Sequence, residues 1–195
     1  MVEALVAIAV LTIGVIGPLT LLAGAIANAN YAKNQITAFF LAQEAQELVI
    51  NQRDQNILKG KNSGQSQIDG SPNSDYWLSG GGLRQCVTGG VSVCYIDAYQ
   101  AVSGANANAG GNFIECPSGK CPYMTLGVDD FYGYQPEGGD VKNTIFKRKI
   151  EVIPIAPTSP YTTADEREAV VKITVTWNEK NTSRTLVLNS IIYRY

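Results

Sequence analysis

Apolar and polar positions divide the chain into a front segment almost free of polar side chains and a remainder in which the two kinds alternate. From Ala4 to Ala32 no charged residue occurs; Glu3 stands before this run and Lys33 after it. About 20 apolar residues cross the hydrocarbon core of a bilayer, so residues 1–27 are expected to form a hydrophobic transmembrane helix. A cleavable secretion signal fits less well, because its apolar stretch is shorter and sits behind a basic one. Glu3 is the oddity, since a carboxylate carried toward the bilayer centre costs about 3 kcal/mol. Such a residue needs a partner.

The helical pattern continues past Asn30. "YAKNQITAFFLAQEAQELVINQRDQNILKG" has no Gly or Pro before Gly60, which predicts an amphipathic continuation over 28–59 with Lys59-Gly60 as its C-terminal cap. At about 1.5 Å per residue, Met1 to Lys59 would extend over about 85 Å. Ile36, Phe39, Phe40, Ile57 and Leu58 recur on one side, while Leu41, Ala45 and Leu48 gather opposite. Two apolar stripes predict two neighbours: the chain's own head on one side and something else on the other. Gly14-Val15-Ile16-Gly17-Pro18 interrupts the first half, and a kink or a locally melted segment is expected there. A membrane kink without further role is the plainer reading of Pro18.

Beyond Gly60 the pattern changes to strands and turns, which predicts a β-rich globular head over 60–195. Residues 61–67 ("KNSGQSQ") read as a linker, and "AVSGANANAGG" as a low-complexity loop. "LRQCVTGGVSVCYIDAYQ" reads as a hairpin turning at Gly89-Gly90, and "CPSGKC" as a tight loop. "TIFKRKIEVIPI", "EAVVKITVTWNEK" and "SRTLVLNSIIYRY" alternate or run β-branched, with "NEKNTS" turning between the last two. Val171, Ile173, Val175 and Trp177 share one face, expected to cover the apolar stripe of the helix. The fold class is therefore α+β: one long helix whose C-terminal half packs on an antiparallel sheet.

Composition narrows the chemistry. With 195 residues, the chain has room for one modest core beside the front segment. The stretch up to Leu58 carries two basic against four acidic side chains, and the rest balances, so nucleic acid is not indicated. There is no histidine, the commonest general base and metal ligand. No phosphate loop or nucleophile elbow occurs, and the chain is not read as an enzyme. Cys86, Cys94, Cys116 and Cys121 suit two disulfides in an oxidising compartment. Three pairings are open; the sequential one, Cys86 with Cys94 and Cys116 with Cys121, is favoured because each local pair surrounds a turn. Their spacings match no zinc pattern, and neither a metal nor a cofactor is expected. Asp129-Asp130 and Asp165-Glu166 read as solvated turns, and Asn181-Thr182-Ser183 as a chance glycosylation sequon.

Two hydrophobic residues, Glu3, and then Ala-Leu-Val-Ala-Ile-Ala-Val-Leu, followed by one long helix and a C-terminal sheet, resemble the type IV pilin and pseudopilin family. Met1 to about Leu22 carries the resemblance most strongly. "FFLAQEAQELVINQRDQNILKG" and "VKITVTWNEKNTSRTLVLNS" look like the helix end and final hairpin of bacterial minor pilins. The resemblance implies the type IV pilin fold and a structural subunit of a pilus-like filament that polymerises through its N-terminal helix. It implies a leader removed by a prepilin peptidase, N-methylation, residence in the bacterial inner membrane, and extraction by an assembly platform into an extracellular filament of identical or related subunits. It also implies roles: Glu3 pairs with the terminal ammonium of a neighbouring subunit, and Gly14, Gly17 and Pro18 mark the stretch that loses helicity on assembly. The family's glutamate normally stands fifth, behind a phenylalanine; here it is third, and a few residues ahead of Met1 are expected. A type II secretion pseudopilin, or a single-span anchored binding protein that does not polymerise, are the alternatives.

Overall fold

Strand pairing in the last third of the chain sets the architecture. The computed structural model describes residues 2–62, 76–87, 93–98, 113–127, 130–134, 141–155, 168–180 and 182–193. Helix α1 spans Val2–Asn62, and a four-residue helical turn, α2, spans Tyr76–Ser79 and leads into a 3-10 helix over Gly80–Cys86. The strands are β1 (Cys94–Ile96), β2 (Phe113–Glu115), β3 (Tyr123–Leu126), β4 (Tyr132–Gly133), β5 (Lys142–Pro154), β6 (Glu168–Glu179) and β7 (Thr182–Tyr193). Backbone packing separates the chain into two units, Met1–Thr37 and Ala38–Tyr195.

In the second unit, β5, β6 and β7 form an antiparallel meander. Phe146 to Pro154 pairs with Ala169 to Trp177, and Glu168 to Glu179 pairs with Thr182 to Tyr193. The last turn is tight, with Lys180 in the left-handed region at φ 48. The other edge of β5 is shared: β1 pairs at Ile150, and β3 pairs toward the Lys142 end. The short strands β2 and β4 flank β1 and β3, whereas β7 pairs with β6 alone and forms an edge.

Alternation along β5 and β6 decides which face is dry. Phe146, Arg148, Ile150 and Val152 point inward from β5, and Ala169, Val171, Ile173, Val175 and Trp177 from β6. They join one core with Ala38, Leu41, Ala42, Ala45 and Val49 of α1. The alanines let the helix backbone lie close to the large residues of the sheet. Trp77, Leu78, Leu83, Phe113, Met124 and Ile192 add to the core, and the Asn56 amide donates to the Trp77 carbonyl at 3.1 Å.

Several expectations are corrected here. "LRQC" is helical rather than extended, and Val87 makes only an isolated parallel bridge to Val152, so the hairpin around the first cysteine pair is not formed. Helix α1 continues to Asn62, past the expected Lys59-Gly60 cap and into the first residues of the expected linker. It also runs unbroken through Gly14 to Pro18, so no melted segment interrupts it. Proline removes only the donor that would serve the carbonyl four residues back, that of Gly14, and the ladder resumes on both sides. Of the two apolar stripes on the helix, Leu41 and Ala45 are buried, while Phe39 and Phe40 stay exposed. The Gly89-Gly90 turn, residues 63–67 of the linker, the 101–111 loop, Asp129, Asp165-Glu166 and Asn181 lie outside the described residues.

Candidate functional site

In the first unit, every large apolar side chain from Val2 to Leu22 is exposed, between 51% and 77%. This helix is long and apolar enough to cross a membrane, with a mean hydropathy of 2.5 over its most apolar window. The Thr12 hydroxyl donates to the Ala9 carbonyl one turn back at 2.9 Å. Such a continuous apolar surface is compatible with anchoring in a membrane.

Glu3 lies in the first turn of α1 and is exposed. Gly14, Gly17 and Pro18 follow three turns later, about 16 Å along the axis from Glu3 to Gly14, so the fold does not bring Glu3 and the glycines together. A Cβ at Gly14 or at Gly17 would meet nothing within 4 Å. No packing inside a single chain requires glycine at either position.

In the second unit a buried cation fastens the helix to the sheet. Arg148, 0% exposed, donates to the Leu41 carbonyl at 3.0 Å, to the Ile96 carbonyl at 2.7 Å and to Glu44 Oε2 at 2.5 Å. One guanidinium thereby joins α1, β1 and β5. Tyr134 lies beside it; burial pushes that phenol up to about 12, while the Arg148 charge pulls it down. Tyr95 lies against Tyr134, ring centroids 4.3 Å apart and planes tilted by 47°, and its own pKa is raised by burial and then by the Asp97 carboxylate. Farther along α1, the buried Arg53 pairs with Asp54 at 2.6 Å and donates to the Tyr193 carbonyl at 3.3 Å. The sequence reading missed Arg148. Its position between Phe146 and Ile150 in an alternating strand was the available signal, because a guanidinium at an inward position must find acceptors.

The cysteines form two disulfides, Cys86–Cys94 and Cys116–Cys121, with Cα atoms 4.9 and 4.6 Å apart. The first ties the 3-10 helix to β1. The second closes the Pro117–Gly119 turn, where Ser118 and Gly119 take left-handed conformations at φ 52 and 72. Among the described residues no group of three or more His, Cys, Asp or Glu could hold a metal ion.

The chain matches no family model, no curated protein and no solved structure. The functional reading therefore rests on the apolar stretch Val2 to Leu22, the one acidic residue in it, Glu3, and the way α1 is locked to the sheet.

Proposed function

We propose that this chain is a non-enzymatic structural subunit of a type IV pilus-like filament, built on the type IV pilin fold. The exposed apolar surface from Val2 to Leu22, with one carboxylate at its start, carries the reading. A surface of this kind needs lipid or other helices around it, and a filament whose core is made of such helices supplies them. Before assembly the helix anchors the subunit in the bacterial inner membrane; afterwards the disulfide-closed sheet unit faces the exterior. Partners are copies of this chain or related pilins, with a prepilin peptidase and an assembly platform acting on them.

In this reading Glu3 meets the terminal ammonium of a neighbour, a pairing whose worth rises in an apolar surrounding. Gly14 and Gly17 leave room for a neighbouring helix, which accounts for glycines that nothing in their own chain requires. Glu3→Ala tests the assignment: membrane-inserted subunits of normal abundance are expected, with few filaments by electron microscopy. Unchanged filaments would remove the pairing role. Subunits confined to the membrane in the parent protein would favour the single-span anchored alternative.

A further inference from the structure

We draw no further inference here: the strongest candidate, the inward face of the edge strand β7, where Leu186 and Leu188 stay half-buried beside a strand edge that pairs with nothing among the described residues, is an unpartnered apolar surface, and nothing in the structure shows what covers it.

Discussion

Glu44 and Arg148 lie 104 residues apart and meet at 2.5 Å, but only the carboxylate reaches water: the Glu44 side chain is 40% exposed and that of Arg148 is 0%. The pair is therefore asymmetric. Losing the arginine leaves a carboxylate that solvent can receive, whereas losing the glutamate strands a charge in the core.

Glu44→Ala is accordingly expected to destabilise the protein by about 3 kcal/mol, well above the roughly 0–1 kcal/mol of an exposed ion pair. Urea unfolding in detergent checks this. A loss no greater than that of an exposed pair would mean that the Leu41 and Ile96 carbonyls suffice to hold the guanidinium.

Ala45 has no exposed surface and lies where α1 meets the sheet. Ala45→Leu forces the layers apart or the neighbouring side chains off their rotamers, at a cost of about 1–3 kcal/mol. Asn51→Leu on the opposite face should change stability by less than about 0.5 kcal/mol. Equal effects in thermal unfolding would contradict the packing described.

The disulfides close short loops, with sequence separations of 8 and 5. Replacing either pair with alanines should cost about 2–3 kcal/mol on loop-closure grounds, somewhat more for Cys86–Cys94. Peptide mapping without reductant should recover each pair in one linked fragment. Crossed linkages would refute the assignment.

Burial holds the Tyr134 proton up to about 12, against 10.0 for an ordinary phenol. Between these values the unfolded chain releases the proton and the folded chain keeps it. The stability involved is thus complete below pH 10 and is lost as the pH rises through about 12. This difference corresponds to about 2–3 kcal/mol. Tyr134→Phe should lose that much less than the parent over the interval, measured by urea unfolding at a series of alkaline pH values. Parallel losses in the two proteins would show that the phenol is not what titrates.

The sheet was legible where alternation ran long. Val171, Ile173, Val175 and Trp177 sit on one face of a 12-residue strand, and their burial follows from the period of two. The buried side of α1 was legible as well, since Leu41 and Ala45 recur at helical spacing. Leu83 to Cys86 was not. Four residues are too few for a period to separate strand from 3-10 helix, and here tertiary packing of Leu83 decided. Arg148 was overlooked for a different reason. Charge suggests solvent, and only parity with Phe146 and Ile150 places it inside, where acceptors from α1 and β1 make burial tolerable. The carboxylate at Glu3 and the glycines at 14 and 17 are legible only as residues that their own chain does not explain.

Fastening α1 through Arg148 and Tyr193 also orders events in time. Arg148, the second donor onto the Leu41 carbonyl, lies 107 residues downstream, and the Tyr193 carbonyl that also receives Arg53 lies 140 residues downstream. During synthesis α1 leaves the ribosome first, and its Ala38 to Val49 face has no sheet to cover it until β5 and β6 have been made. The β6–β7 turn can close locally, but the core joins the two ends of the second unit and completes only with the last strand. A chain cut before β7 would lack both the Tyr193 carbonyl that receives Arg53 and the Ile192 side chain that the core closes on, so the helix would lose a fastening made more than a hundred residues away from it.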